Sequence, residues 1–247
     1  MKIAANLSAL WPDLPYLDRF EVAAEAGFDG VEVLFPYEMP AKETQRALLR
    51  AGLPMVLMAA PPPNYTGGAR GFAAVPEAKD RFLYDLRRAL RYCDALRTPV
   101  LHLLAGVAEG EVAHETLVQN LKAAAEAAPK DLLITISPST ADDLPGAFLQ
   151  SYDHAAEVVQ EVGAAHVGLL FNSHEAAVMH GDPIAVLKRH AGLIRHVHLA
   201  DTSAGQADPQ TLSAALRDIG YAGWVAALYA RSAPPEEHLE LLQRLRG

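Results

Sequence analysis

The chain has 247 residues, of which 51% are hydrophobic and 21% charged, so it can form one large folded domain or two small ones. Its net charge of −9, from 21 basic and 30 acidic residues, argues against a nucleic-acid-binding surface. No window reaches the roughly 18 apolar residues of a membrane span, and the N-terminus lacks a signal peptide's apolar region. The single cysteine, Cys93, forms no intrachain disulfide. From these features we predict a cytoplasmic protein.

Eight short apolar runs alternate with longer amphipathic stretches along the chain. The short runs are rich in Val, Ile and Leu without strict alternation, which is typical of strands buried on both faces. The predicted strands are Lys2–Asn6, Gly30–Phe35, Pro54–Ala59, Pro99–Leu104, Leu132–Ser137, Val167–Asn172, His196–Ala200 and Trp224–Tyr229. The predicted helices are Leu14–Ala26, Lys42–Ala51, Glu77–Leu96, Glu111–Ala128, Asp153–Val162, Ile184–His190, Gln210–Ile219 and Glu236–Leu245.

Eight βα units in about 250 residues match the size of a (β/α)8 TIM barrel. An open, doubly wound sheet is the alternative, but it usually carries a glycine-rich loop after its first strand, and residues 6–12 contain no glycine. No composition shift marks a second domain, so we predict an α/β protein with a single TIM-barrel domain over residues 1–247. The loops Ala60–Pro76 and Thr202–Pro209 should lie on the C-terminal face, where barrel active sites sit.

Several groups of residues, in the same order along the chain, carry a resemblance to a known family. They are Ala5-Asn6-Leu7-Ser8, Ala26–Glu32, Phe35-Pro36-Tyr37, Gly68, Arg70-Gly71, Pro76, Thr116–Leu121, Pro145-Gly146, His196, Leu199-Ala200-Asp201 and Tyr221–Val225. These motifs resemble the hydroxypyruvate isomerase family, within the wider xylose isomerase-like barrel group. The resemblance implies an aldose–ketose isomerase that moves a proton between adjacent carbons. It also implies Mg²⁺ or Mn²⁺ holding two substrate oxygens, with carboxylates transferring the proton.

The resemblance places the family's metal ligands and catalytic carboxylates at four strand ends, and this chain lacks most of them. Ser137 stands for a Glu in strand five, Asn172 for an Asp in strand six and Leu228 for a Glu in strand eight. His198 in strand seven is the one residue of a normal ligand type, and Met58 stands for a His in strand three. Because the lost carboxylates carried the charge that stabilises Mg²⁺, we expect no metal, no cofactor, and a family activity that is lost or altered.

Three polar residues near these positions are candidates for catalysis without the family's metal: His198, His102 and Glu175. A structural alternative stays open for each of them. Both histidines can serve as neutral hydrogen-bonding residues, and Glu175 can belong to a solvated loop together with His174. The sequence alone does not choose between these roles.

Four further residues are candidates for ligand binding at the predicted barrel mouth: Glu32, Phe35, Arg70 and His174. Glu32 is alternatively the partner of a nearby Arg or Lys, and Arg70 is alternatively part of an ordinary surface salt bridge. If Glu32 or Glu175 reaches the strand-end residues, the site has been relocated rather than lost.

Two classes of function follow from these patterns. The first is an isomerase that acts on hydroxypyruvate or a similar small sugar acid through a metal-independent set of side chains. The second is a catalytically silent barrel that binds a small neutral or acidic metabolite, or a protein partner. Neither nucleic acid nor membrane is an expected partner, and homo-oligomerisation is left open.

Overall fold

The computed structural model describes residues 1–60, 70–200, 208–228, 240 and 243–246. Eight parallel strands form a closed barrel, in which each strand pairs with the next and the eighth pairs with the first. The strands are β1 (Lys2–Asn6), β2 (Gly30–Glu32), β3 (Met55–Ala59), β4 (Val100–His102), β5 (Leu133–Ile136), β6 (Val167–Asn172), β7 (Ile194–Leu199) and β8 (Trp224–Ala227). The predicted (β/α)8 barrel is confirmed.

Every connection between consecutive strands contains at least one α-helix, as parallel neighbours require. The helices are α1 (Arg19–Glu25), α2 (Ala41–Ala51), α3 (Lys79–Leu96), α4 (Gly110–Ala127), α5 (Tyr152–Val162), α6 (Ser173–His180), α7 (Pro183–Arg189) and α8 (Pro209–Asp218). Most of the predicted loops Ala60–Pro76 and Thr202–Pro209, and of the predicted helix Glu236–Leu245, lies outside the described residues. Across the described ranges, no helix combines the length and apolar content that a membrane crossing needs.

Local capping explains where several helices begin and end. Gly52 and Gly163 directly follow α2 and α5 and have φ of 67° and 68°, the left-handed conformation in which helices commonly stop. Helix α6 is absent from the predicted elements because its apolar residues form no stripe. It begins where the Asn172 side chain accepts hydrogen bonds from the backbone N–H groups of His174 and Glu175.

Polar side chains interrupt the apolar interior of the barrel. They belong to strands and are buried, which requires that they find partners inside the fold. The buried polar strand residues relevant to the site are Asn6, Glu32, His102, Thr135, His196 and His198. These residues are concentrated near the C-terminal ends of the strands, where the candidate site lies.

Candidate active site

A cavity of about 290 Å³ opens among residues at the C-terminal ends of the strands. This face of a TIM barrel is where active sites are built. The four strand-end residues predicted from the sequence all line the cavity, namely Ser137, Asn172, His198 and Leu228. Asn172 and His198 are also direct partners in the pairing of β6 with β7. The four positions therefore border one cavity.

The donors at these four positions do not fit Mg²⁺ or Mn²⁺. The side-chain oxygen of Asn172 already caps α6, and it lies 2.9 Å from the backbone nitrogen of His174. The hydroxyl of Ser137 lies 3.4 Å from Nε2 of His102, and Leu228 offers no ligand atom. Because a hard dication needs several oxygen ligands, mostly carboxylates, this set does not provide a site for it.

A buried carboxylate lies directly behind His198. Glu32, the last residue of β2, is completely inaccessible to solvent, as is His196. Its Oε2 lies 2.8 Å from Nε2 of His196, and its Oε1 lies 2.9 Å from Nε2 of His198. Asn6 donates a further hydrogen bond from its side-chain amide to Oε1. These four side chains form one hydrogen-bonded group, which we call the Glu32 cluster.

The two histidines decide the charge state of the Glu32 carboxyl. Burial favours a higher pKa, but the nearby charge of His198 and the hydrogen bonds from His196 and His198 outweigh it. The pKa of Glu32 is therefore held well below its ordinary range. The pKa of His196 is lowered, because the effect of its burial outweighs the raising effect of the neighbouring Glu32 carboxylate.

Glu32 has neither of the two roles that the sequence suggested, a ligand-binding residue at the barrel mouth or the partner of a Lys or Arg. Its contacts are with imidazoles rather than with Lys or Arg, and it does not line the cavity among the described residues. The reason is that the strand end turns its side chain into the barrel interior, where β7 presents both histidines. His196 was noted only as a motif residue. The spacing of two between His196 and His198 was the available signal, since alternate residues of a strand share a face.

His102 lies on the cavity wall as a neutral hydrogen-bonding residue. Its Nδ1 is 3.2 Å from the hydroxyl of Thr135, and its Nε2 faces Ser137. Burial, reinforced by the charges of His198 and His196, lowers the pKa of His102 to about 3. The imidazole is therefore uncharged at neutral pH and can donate or accept hydrogen bonds according to its tautomer.

Glu175 places a carboxyl group on the wall of the same cavity. It lies in the first turn of α6, is buried, and accepts a hydrogen bond of 2.8 Å from the backbone N–H of Thr140. Burial raises its pKa to about 7, and the hydrogen bond and charge of Asp143 act in the same direction. Glu175 is therefore not part of a solvated loop, and its carboxyl group borders the same cavity as the strand-end residues.

The remaining predicted residues divide between the cavity and its surroundings. Phe35 and Arg70 line the cavity, and within the described part of the chain Arg70 forms no salt bridge. His174 and Met58 are not among the lining residues. Met58 instead packs in the main core while its neighbour Ala59 lines the cavity, because successive side chains of a strand point to opposite faces.

The chain is similar in sequence and in structure to known proteins. Residues 20–246 match the family described as the xylose isomerase-like TIM barrel. The chain is 33% identical over 239 residues to a 2-oxo-tetronate isomerase of Cupriavidus necator, covering 92% of each protein. It is 29% identical over 257 residues to the hydroxypyruvate isomerase of Escherichia coli, covering 100% of each. A crystal structure of AP endonuclease, family 2, from Brucella melitensis superposes with a TM-score of 0.92, 31% identity and 98% coverage of each chain.

Proposed function

Because this chain belongs to the xylose isomerase-like TIM barrel family, we propose that it isomerises a small hydroxy-2-oxo acid by moving a proton between adjacent carbons. The similarity to isomerases over nearly the full length supports this class of reaction and confirms the resemblance carried by the motifs. Hydroxypyruvate and 2-oxo-tetronate, which appear in the names of those relatives, are the substrates to test. The proposed reaction does not use the family's Mg²⁺ or Mn²⁺ site.

One observation carries the proposal: a carboxyl group with a pKa of about 7, that of Glu175, lines the cavity. An acid–base catalyst works best when its pKa lies near the working pH, because the group then both accepts and returns a proton. The family's own carboxylate positions are occupied by Ser137, Asn172 and Leu228. Glu175 is therefore the group that we assign to proton transfer between the two carbons.

The rest of the cavity supplies groups suited to the intermediate of such a reaction. Removal of a proton beside a carbonyl gives an enediolate, whose negative charge is stabilised by preorganised hydrogen-bond donors. Ser137 and neutral His102 are placed to hydrogen-bond the two oxygens. Arg70, exposed at the cavity wall, is suited to the substrate's carboxylate.

Hydrogen exchange and isomerisation can be measured together. The purified protein is incubated with hydroxypyruvate or 2-oxo-tetronate in ²H₂O, and loss of the carbon-bound proton and product formation are followed by NMR. We expect turnover at the same rate with and without added Mg²⁺ or Mn²⁺. Glu175→Gln should lower the rate about 100-fold or more, whereas Glu126→Gln, an exposed change on α4, should leave it unaltered.

Two outcomes would contradict the proposal. Equal rates in Glu175→Gln and in the unmodified protein would remove Glu175 from the proton transfer. Binding of these acids with neither exchange nor turnover would favour the second class of function, a catalytically silent barrel that binds a small metabolite.

A further inference from the structure

We propose that Glu32, His196 and His198 form a binding site for a divalent transition-metal ion of the Zn²⁺ type, at the base of the cavity. This site is distinct from the four strand-end positions, with which it shares only His198. It goes beyond the proposed isomerisation, because it concerns what the Glu32 cluster binds and does not depend on whether the cavity turns over a substrate.

The spacing of the three side chains is close to that of a bound zinc site. One ligand atom from each residue lies within 4.8 Å of the others, and the two imidazole Nε2 atoms lie 2.8 and 2.9 Å from the carboxylate oxygens. With bonds of about 2.0–2.2 Å, two ligands of tetrahedral zinc lie roughly 3.3–3.6 Å apart. Each imidazole–carboxylate distance therefore has to lengthen by less than about 1 Å to admit the ion.

The donor types determine which metals fit. Two imidazoles and one carboxylate are a ligand set of catalytic zinc sites, in which a fourth position stays open. Nitrogen ligands favour Zn²⁺, Co²⁺, Ni²⁺ and Cu²⁺ over Mg²⁺ and Mn²⁺. His198 also lines the cavity, so an ion held here would lie next to the cavity. The metal preference is thus the reverse of that implied by the family.

Charge balance provides a second reason for a cation at this place. Glu32 is fully buried, and its side-chain contacts within the described residues are Asn6, His196 and His198, with no Lys or Arg among them. A buried carboxylate is costly unless a positive charge accompanies it. A dication held between the carboxylate and the two imidazoles supplies such a charge directly.

The surroundings hold the ligands in orientations compatible with metal binding. Asn6 fixes the Glu32 carboxylate, and its own side-chain oxygen accepts a hydrogen bond of 2.9 Å from the backbone N–H of Ser8. Nδ1 of His196 has no hydrogen-bond partner among the described residues. A metal bound at Nε2 of His196 therefore takes the place of the hydrogen bond to Glu32, with the ring proton on Nδ1.

Metal binding can be measured without any substrate. The full chain is stripped with a chelator and titrated with Co²⁺, whose visible absorption reports tetrahedral coordination, and with Zn²⁺ by calorimetry. We expect one equivalent of either ion and much weaker binding of Mg²⁺. His196→Gln and His198→Asn should each weaken binding about 100-fold and alter the Co²⁺ spectrum. Circular dichroism and thermal unfolding of each variant check that it has folded.

Two control variants separate this site from other places on the protein. Ser137→Ala, at a strand-end position of the family's site, should bind Co²⁺ unchanged. His114→Gln should also bind unchanged, because His114 stacks on His154 at the protein surface, where zinc can attach adventitiously. If the unmodified protein shows no stoichiometric Co²⁺ or Zn²⁺, or if the two histidine variants bind normally, the site does not exist. Either result leaves the hydrogen-exchange test of Glu175 unaffected.

Discussion

Oε1 of Glu32 and Nε2 of His198 lie 2.9 Å apart in the barrel interior, although 166 residues of sequence separate them. The contact joins the end of β2 to β7, two strands that are not neighbours in the barrel. Of the cluster's four side chains, His198 is the one that also lines the solvent-facing cavity in the described part of the chain. The predictions below test the cluster and the cavity separately.

The first prediction concerns the contribution of the Glu32 cluster to folding. Glu32→Gln removes a charge from a fully buried network, so the free energy of unfolding should fall by about 3 kcal/mol in urea denaturation of the metal-free protein. Glu43→Gln breaks an exposed pair with Arg46 and should cost less than about 1 kcal/mol. Equal losses in the two variants would show that the buried contacts contribute no more than a surface salt bridge.

The second prediction concerns the effect of Asp143 on catalysis. Asp143 raises the pKa of Glu175 by its hydrogen bond and its charge. If deprotonated Glu175 removes the proton, activity should rise with pH through about 7, and Asp143→Asn should move this midpoint roughly one unit towards acid. The neighbouring exposed Asp142→Asn should leave the midpoint in place. A rate–pH profile measured by hydrogen exchange decides the question.

The third prediction concerns stability as a function of pH. The pKa of Glu175 rises from 4.5 to about 7 on folding. Between these two pH values the folded state therefore holds a proton that the unfolded state has lost. The contribution of this carboxyl to stability is therefore complete below pH 4.5 and decreases as pH rises to about 7.

The neutral amide of Glu175→Gln cannot lose a proton and should remove this decrease. The change in unfolding free energy between pH 5 and pH 8 should differ between variant and parent by about 1 kcal/mol, after allowance for solvent screening. Urea denaturation at the two pH values measures it. An identical pH dependence in Glu175→Gln and its parent would mean that the carboxyl titrates normally in the folded protein.

The fourth prediction concerns the family's metal site. Ser137→Glu, Asn172→Asp and Leu228→Glu together restore the carboxylates that the resemblance implies. Asp retains the ability to cap α6, so the helix should persist. We expect the triple variant to bind Mn²⁺ at least tenfold more tightly than the parent in calorimetric titration. Unchanged Mn²⁺ binding would show that backbone positions, as well as side chains, have moved away from the family geometry.

The barrel was predictable because strand burial and helix periodicity are local patterns, and eight repeats of them admit few topologies. The four strand-end residues followed from the family resemblance, which places ligands at the ends of those strands. The partners of Glu32 were not predictable, because they depend on how β2 and β7 approach across the interior. Nor was the raised pKa of Glu175 predictable, since Thr140 and Asp143 meet it only after α6 forms, and α6 depends on the single cap made by Asn172.

The cap that Asn172 makes on α6 connects the missing family acid with the position of Glu175. Asn172 stands where the family resemblance implies an acid, and its side-chain oxygen starts the helix whose first turn carries Glu175. The carboxyl group lies three residues further along the chain, about one helical turn away, and still borders the same cavity. A residue-by-residue comparison of the strand-end positions therefore does not register the buried carboxyl group that borders the cavity from α6.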